Sequence, residues 1–356
     1  MSTNGQIGAL VLADGAVFQG TSFGYRKSVC GEVVFNTGMV GYPESLTDPS
    51  YKGQILVLTY PLVGNYGVPC NNRSTRLATA LESDRIQVQG LIVSQYSFEF
   101  SHWQALKSLD NWLKEHGVPA LYGVDTRALT KRLRETGVMP GKIVFSKKSL
   151  EFHDPNKDSL VSLVSVQQPV RYEVGETKVV VIDCGCKNSI IRSLLSRRIT
   201  VIRVPWNYDF LAEDFHGVVI SNGPGDPKMC RETILNVRKA MDESLPVFGI
   251  CLGHQILALA AGADTFKLKF GHRSQNQPCV EGEKGRCYIT SQNHGYAVVN
   301  ESLPTGWEVW FTNANDGTNE GIRHASRPFM GVQFHPEAAP GPFDTNFLFD
   351  RFLEYL

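Results

Sequence analysis

A single cysteine, Cys251, lies between two glycines in the stretch FGICLGHQ, residues 248–255. The apolar run PVFGI precedes it, and LGHQILALAAG, a run typical of a helix, follows it. This pattern has the form of a nucleophile elbow in which sulfur replaces oxygen. The N-terminal end of the helix would favour a thiolate, and the N–H of Leu252 would point at an oxyanion formed on a substrate. The alternative interpretation is a buried cysteine that ends a core strand.

A thiol nucleophile needs a base, and His335 in GVQFHPEA is the candidate. Glu337 lies two residues further on, and residues i and i+2 of an extended segment face the same way. Pro336 favours that extended conformation. A carboxylate beside an imidazole fixes its tautomer and stabilises the imidazolium. The alternative is a His–Glu pair on the surface. His254, three residues into the helix, should lie away from the thiol.

The loop SNGPGDP, residues 221–227, is the third candidate element. Glycine-rich loops after parallel strands often bind phosphate, but the Gly-x-x-x-x-Gly-Lys-Ser/Thr pattern is missing. We assign to Gly223 a second N–H for an oxyanion hole. A simple turn is the alternative.

The segment that carries these residues alternates strands with helices. The apolar runs KVVVID, ITVIRV, GVVI and PVFGI are separated by helical patterns such as KNSIIRSLLSRR and CRETILNVRKAMDE. Such alternation predicts an α/β domain whose parallel sheet is covered on both faces. Ligands bind such sheets at the carboxyl ends of the strands. This rule predicts that the SNGPGD and CLG segments, which follow two of the strands, bind the ligand.

The chain before this segment has a different pattern. Residues 1–147 mix short β-rich runs with helical patterns at 101–117 and 125–137, whose expected N-caps are Ser101 and Asp125. We therefore predict a smaller α+β N-terminal domain. Residues 148–177 are polar and lack periodicity, which predicts a linker, so the C-terminal domain comprises residues 178–356.

Charge and hydropathy argue against two classes of function. Lysine plus arginine and aspartate plus glutamate both number 35, so no basic excess indicates a nucleic-acid partner. No apolar stretch approaches the ~20 residues of a membrane span. The N-terminus MSTNGQIGALVLADG lacks the features of a signal or transit peptide. We expect a cytoplasmic protein with no membrane association.

The cysteines do not indicate a metal site or a disulfide framework. There are eight in 356 residues, and no Cys-x-x-Cys pair occurs among them. Cys184-Gly185-Cys186 comes nearest to a ligand cluster, but no histidine lies beside it in sequence. We expect no metal in this chain.

Taken together, FGICLGHQ, SNGPGDP and VQFHPE resemble the class I, triad-type glutamine amidotransferases. The resemblance extends beyond these motifs. The stretches GEVVFNTGMVGYPESLTDPSYKGQILVLTYPLVGNYG, YGVDTRALTKRLRETG, FGHRSQNQPC and SQNHGYAV resemble the small subunit, or glutaminase region, of carbamoyl phosphate synthetase. The first domain distinguishes this family from the other amidotransferases, because those for GMP, anthranilate or CTP synthesis do not carry it. The resemblance implies a flavodoxin-like or Rossmann-like C-terminal domain with a mostly parallel sheet.

The resemblance also implies the roles of individual residues. Cys251 is the expected nucleophile, His335 the base and then the acid, and Glu337 the carboxylate that orients it. Gly223 and Leu252 are expected to form the oxyanion hole. The residues expected to bind glutamine are Ser50, Gly223, Gly225, Leu252, Gln255, Asn293, Gly295 and Tyr296. Many relatives have phenylalanine at position 296, and ammonia-using urea-cycle relatives lack the cysteine that this chain keeps.

The implied function is the glutaminase component of carbamoyl phosphate synthase (glutamine-hydrolysing). The chain would hydrolyse L-glutamine through a cysteine thioester and pass ammonia to a synthetase that makes carbamoyl phosphate for pyrimidine or arginine synthesis. That partner would be a large subunit or a fused synthetase domain. We expect no cofactor in this chain, with ATP and magnesium only on the partner. The alternatives are a free-standing cysteine amidohydrolase of the same fold and a catalytically silent docking subunit.

Overall fold

The structure is a computed structural model, and it describes residues 5–70, 77–145, 150–282 and 284–356. The chain divides into two units, Met1–Asp158 and Ser159–Leu356. Each unit is built around its own buried apolar side chains.

The N-terminal unit contains mainly short strands. Its described strands are β1 (Ile7–Leu12), β2 (Val17–Gly24), β3 (Val29–Asn36), β4 (Gln54–Leu58), β5 (Leu62–Val63), β6 (Val68–Pro69), β7 (Gly90–Ile92), β8 (Gln95–Tyr96), β9 (Ala105–Lys107), β10 (Pro119–Tyr122) and β11 (Met139–Val144). Its helices are α1 (Tyr42–Thr47), α2 (Leu109–Glu115) and α3 (Thr126–Thr136), with 3₁₀ turns at Pro49–Tyr51 and Pro155–Lys157.

Seven of these strands close into a barrel in the order β1-β11-β3-β4-β7-β10-β2. Neighbours from β3 to β10 are parallel, and the other neighbours are antiparallel. One buried cluster joins Leu56 and Leu91 of the barrel to Trp112 of α2. The predicted α+β content is therefore arranged as a closed barrel with helices packed against it.

The helix predicted from residue 101 begins later. Ala105 and Lys107 of β9 pair with β6, so the chain is extended where the helical pattern begins. The N-cap is Ser108, whose hydroxyl accepts a hydrogen bond from the N–H of Asn111 at 3.2 Å. The prediction of Ser101 as N-cap was wrong. The prediction of Asp125 is confirmed, since its carboxylate accepts the N–H of Ala128 at 2.9 Å.

The C-terminal unit contains one large sheet. Its described strands are β12 (Val170–Tyr172), β13 (Lys178–Asp183), β14 (Thr200–Pro205), β15 (Gly217–Ile220), β16 (Val247–Ile250), β17 (Thr265–Glu281), β18 (Arg286–Val298), β19 (Trp307–Asn313), β20 (Asn319–His324) and β21 (Phe329–Val332). Its helices are α4 (Leu160–Val164), α5 (Asn188–Leu195), α6 (Arg231–Asp242), α7 (Leu252–Ala261) and α8 (Phe347–Leu353), with 3₁₀ turns at Phe210–Ala212, Pro227–Met229 and Asn300–Ser302.

The sheet order is β12-β14-β13-β15-β16-β21-β20-β19-β17-β18. The strands β14, β13, β15, β16 and β21 are parallel. Numbered by their order along the chain, they lie across the sheet in the 2-1-3-4-5 order of flavodoxin-like folds. The remaining pairings are antiparallel, so the sheet is mixed. The flavodoxin-like prediction is confirmed for this parallel part.

Helices cover both faces of the parallel part, as the sequence predicts. Val247 and Phe248 are successive residues of β16, so they point to opposite faces. Val247 belongs to the buried cluster that contains Val237 of α6 and Ile256 of α7. Phe248 packs against Phe349 and Phe352 of α8.

The predicted linker, residues 148–177, is partly folded into the C-terminal unit. Helix α4 lies within it, and β12 pairs with β14 at one edge of the sheet. The boundary between the units falls after Asp158, so the described part of residues 159–177 belongs to the second unit. A three-residue edge strand is too short to produce a period-2 pattern, which explains the difference. Residues 148 and 149 lie outside the described residues.

Within the described ranges, no helix has both the length and the apolar composition that crossing a membrane would require.

The close contact between α7 and β15 gives a test of the fold. A Cβ added at Gly253 would lie 2.1 Å from the carbonyl oxygen of Ile220. We expect Gly253→Ala to lower the free energy of unfolding by about 1–3 kcal/mol, because the helix must move away from the strand. Chemical denaturation measures the change. Gly282→Ala is the control, since its Cβ would have ordinary contacts of 3.6 Å or more. Equal effects in the two variants would contradict this account.

Candidate active site

Cys251 occupies the sharp turn between β16 and α7. Its backbone has φ 56° and ψ −105°, a conformation that a non-glycine residue rarely adopts. A Cβ at Gly249 would lie 2.5 Å from the carbonyl oxygen of Gly253. Gly253 is itself pressed against β15. Both glycines are therefore required by crowding at the turn, and the elbow predicted from the sequence is present.

The thiol of Cys251 is almost completely buried, with 2% of the residue exposed. Its backbone N–H donates to the carbonyl oxygen of Val332 in β21 at 2.8 Å. Its Sγ lies 3.7 Å from the carbonyl oxygen of Asn293 in β18. The cysteine is thus placed by one neighbouring strand and faces a second.

His335 and Glu337 follow the end of β21, the parallel neighbour of β16. The imidazole Nδ1 and the Glu337 Oε1 are 2.6 Å apart, and both residues are buried. The backbone N–H of His335 donates to the carbonyl oxygen of Ser291 at 2.9 Å. The structure therefore brings the predicted pair to the same sheet edge as Cys251.

The charges of this pair support each other. Burial disfavours the imidazolium, but the carboxylate of Glu337 and the sulfur of Cys251 outweigh burial and raise the pKa of His335 above its ordinary value. Burial also disfavours the carboxylate. The cations Lys187 and His335 outweigh it and lower the pKa of Glu337. Both shifts favour the charged form, so the two groups stabilise each other as imidazolium and carboxylate.

Lys187 is a site residue that the sequence reasoning missed. Its Nζ lies 2.9 Å from Glu337 Oε1 and also donates to the carbonyl oxygen of Ala338. The residue is 3% exposed. The available signal was its position four residues after the end of β13, at the same rim as the other candidates.

Gly223 lies close to Leu252, as an oxyanion hole requires. A Cβ at Gly223 would lie 2.7 Å from Leu252 Cδ2 and 2.0 Å from the carbonyl oxygen of Cys184. Gly225, in the same loop, has φ +86°. The loop after β15 therefore borders the elbow through a glycine that cannot be replaced without movement.

Gln255 has a fixed amide orientation. Its Nε2 donates to the carbonyl oxygen of Tyr296 at 2.8 Å and to Gln333 Oε1 at 2.9 Å. Both amide hydrogens are used, so Gln255 Oε1 remains as a hydrogen-bond acceptor. Gln333 was not predicted from the sequence. Nothing distinguishes it there from other glutamines at strand ends.

The remaining predicted residues lie in different places. Asn293, Gly295 and Tyr296 are on β18, the strand whose Asn293 carbonyl faces the thiol. Ser50 belongs to the N-terminal unit, in the 3₁₀ turn Pro49–Tyr51, where its backbone N–H donates to the carboxylate of Asp48 at 2.9 Å. His254 is fully buried, and burial lowers its pKa to about 3, so it is neutral.

One group of side chains in the described ranges has ligand atoms close enough for a metal ion: His272, His294 and Glu320, within 4.8 Å of one another. These atoms are largely engaged already. The ring nitrogens of His294 face the carbonyl oxygen of Tyr296 and the side-chain oxygen of Gln292. Glu320 accepts hydrogen bonds through both oxygens. The group is better described as a buried hydrogen-bond network.

Comparisons with known proteins match both parts of this chain to known families. The family model for the carbamoyl-phosphate synthase small chain, CPSase domain, matches residues 10–143, and the model for class-I glutamine amidotransferases matches residues 180–355. Among relatives, the multifunctional protein CAD of Squalus acanthias is 54% identical over an alignment of 352 residues that covers 97% of this chain and 16% of that protein. The multifunctional protein pyr1-3 of Dictyostelium discoideum is 50% identical over an alignment of 376 residues that covers 99% of this chain and 17% of that protein.

A further relative is the mitochondrial carbamoyl-phosphate synthase [ammonia] of Homo sapiens, 49% identical over an alignment of 361 residues that covers 100% of this chain and 24% of that protein. The chain thus spans between 16 and 24% of the length of these three relatives. The chain belongs to the carbamoyl-phosphate synthase small-chain family, and its C-terminal unit carries the class-I glutamine amidotransferase domain.

Proposed function

We propose that this chain is the glutaminase component of a glutamine-dependent carbamoyl phosphate synthase. It hydrolyses L-glutamine to glutamate and ammonia, and the ammonia serves an ATP-dependent synthetase. The observation that carries the proposal is the arrangement of Cys251, His335 and Glu337 at the carboxyl ends of two adjacent parallel strands.

The reaction proceeds through a thioester. The Cys251 thiolate attacks the side-chain amide carbon of glutamine, and the oxyanion that forms is stabilised by the N–H groups of Leu252 and Gly223. The His335 imidazolium then gives its proton to the amide nitrogen, and the carbon–nitrogen bond breaks to release ammonia and leave the thioester and neutral His335. Neutral His335 next removes a proton from water, which attacks the thioester and releases glutamate and the thiolate.

The other side chains orient the substrate and the base. Glu337 keeps Nδ1 of His335 protonated, so Nε2 is the atom that donates the proton to the leaving nitrogen and later accepts one from water. Gln255 offers its Oε1 to a donor group of glutamine. The remaining contacts to glutamine are assigned by family resemblance to Ser50, Gly225, Asn293, Gly295 and Tyr296.

The proposed partner is a synthetase, either a large subunit or a domain of the same polypeptide, that binds ATP and magnesium and makes carbamoyl phosphate for pyrimidine or arginine synthesis. The relatives support this, because they extend far beyond the region that this chain matches. One of them is named for ammonia, but the elbow cysteine of this chain favours glutamine as its nitrogen source. We place the enzyme in the cytoplasm, since eight free cysteines suit a reducing compartment.

Cys251→Ser tests the nucleophile. We expect glutamine hydrolysis to fall by several orders of magnitude while glutamine still binds, because a poorly activated hydroxyl replaces the thiolate. Ammonia release and calorimetric titration measure the two properties. Cys287→Ser, at an exposed cysteine, is the control. Retained turnover in Cys251→Ser would overturn the assignment.

Substitution of the base should lower glutamine hydrolysis further than substitution of its orienting carboxylate. We expect His335→Asn to be nearly inactive, since the base itself is lost, and Glu337→Gln to retain measurable turnover. Steady-state glutaminase assays of both variants give the comparison. Glu308→Gln, an exposed carboxylate paired with Arg323, is the control. Equal inactivity of the two triad variants would give the carboxylate a larger role.

Ser50→Ala tests the contribution of the N-terminal unit to glutamine binding. Loss of one hydrogen bond, roughly 1–3 kcal/mol, corresponds to a KM raised about 5- to 150-fold with kcat little changed. Ser101→Ala, at an exposed serine of the same unit, is the control. An unchanged KM would remove Ser50 from the binding site.

A further inference from the structure

The loop Cys184–Lys187, which follows β13, supplies Lys187 to the site, but its other residues have no role in the reaction described above. Its two cysteines are fully buried. In the sequence they come nearest to a metal-ligand cluster, but no histidine lies beside them. The loop nevertheless contacts both halves of the proposed active site.

One set of contacts joins the Cys184–Lys187 loop to the loop after β15, residues 221–227, which carries Gly223. The N–H of Cys184 donates to Ser221 Oγ at 3.0 Å, and the N–H of Lys187 donates to Asn222 Oδ1 at 3.0 Å. A Cβ at Gly223 would lie 2.0 Å from the carbonyl oxygen of Cys184. The two loops therefore cannot move independently.

The second set of contacts joins the loop to the triad. The side chain of Lys187 reaches the carboxylate of Glu337 and the carbonyl oxygen of Ala338. Lys187 is nearly inaccessible, so water cannot readily replace it as the partner of this carboxylate. A displacement of the loop would leave a buried charge unpaired, which is costly.

The loop is held in place by Asp183, a fully buried carboxylate at the end of β13. Its Oδ1 accepts the N–H groups of Gly185 at 2.9 Å and Cys186 at 2.7 Å. Its Oδ2 accepts the N–H of Val166 at 2.8 Å and is ion-paired with Arg203, whose Nε lies 2.9 Å away. An amide in this position would turn an NH₂ group toward one of these sets of donors.

We propose that Asp183, ion-paired with Arg203, is a positioning residue for glutamine hydrolysis, acting through the Cys184–Lys187 loop. It keeps Lys187 on Glu337 and keeps Gly223 beside Leu252. The inference rests on the proposed function, and it adds to the triad a structural residue that touches neither substrate nor thiol.

The test compares Asp183→Asn with the wild type in the full 356-residue chain. Small displacements of catalytic groups cost on the order of 10²-fold in rate, so we expect kcat for glutamine to fall by about that factor. The KM should change much less, because the proposed glutamine contacts on β18 remain. Both constants come from steady-state ammonia release.

A second readout does not depend on turnover. The groups that act on His335 are Glu337, Lys187 and the sulfur of Cys251, and His294 is also within electrostatic range. Lys187 opposes the imidazolium, so its withdrawal should raise the pKa of His335 above that in the wild type. Histidine-selective NMR titration, assigned with His335→Asn, measures this pKa. If the wild type fails to hydrolyse glutamine, the proposed function fails, but the titration still decides the role of Asp183.

Glu281→Gln is the matched control. Glu281 is also a buried carboxylate of this unit with an arginine partner, Arg351 at 3.3 Å, but it has no contact with the triad. It should lower thermal stability without changing kcat or the pKa of His335. Wild-type kcat and titration in Asp183→Asn would overturn the proposal, and so would the same changes in Glu281→Gln. If Asp183→Asn does not fold, Arg203→Met is judged by the same two readouts.

Discussion

A buried carboxylate held between two cations organises the catalytic end of the C-terminal unit. Glu337 lies within 2.9 Å of both the Lys187 ammonium and the His335 imidazole. Removing one partner of such a group leaves a buried charge that costs several kcal/mol. The position of the base is therefore tied to the position of a lysine from another strand end, and through His335 to the thiol of Cys251.

The strand order explains how these groups meet. The neighbours β13, β15, β16 and β21 are parallel, so their carboxyl ends share one edge of the sheet. The segments that follow them carry, in that order, Lys187, Gly223, Cys251 and His335. Each group is supplied by a different part of the chain, and the sheet alone brings them together. The antiparallel strand β18 then places the carbonyl oxygen of Asn293 over the thiol.

Features with a local chemical signature were predictable from the sequence. The glycines around Cys251 and the proline between His335 and Glu337 restrict the backbone locally, and alternating apolar runs predicted the parallel strands. The position of Lys187 after β13 was a signal for its place at this rim, but its pairing with Glu337 was not predictable, because that partner lies 150 residues further along the chain. The barrel closure and the antiparallel half of the sheet depend on pairings between distant strands. The prediction that a helix begins at residue 101 was wrong because β9 pairs with β6, a tertiary contact that overrides the local preference for a helix.

The crowding at the elbow has a consequence for how such chains can change in evolution. The turn is shaped by Gly249 and Gly253 and by a backbone hydrogen bond of Cys251, whereas the sulfur interacts with the carbonyl oxygen of Asn293 and with His335, which lie outside the turn. Folding therefore places little demand on the thiol. In a lineage that obtains ammonia from another source, a single substitution of this side chain would abolish glutamine hydrolysis. The domain would still fold and could be kept as a scaffold.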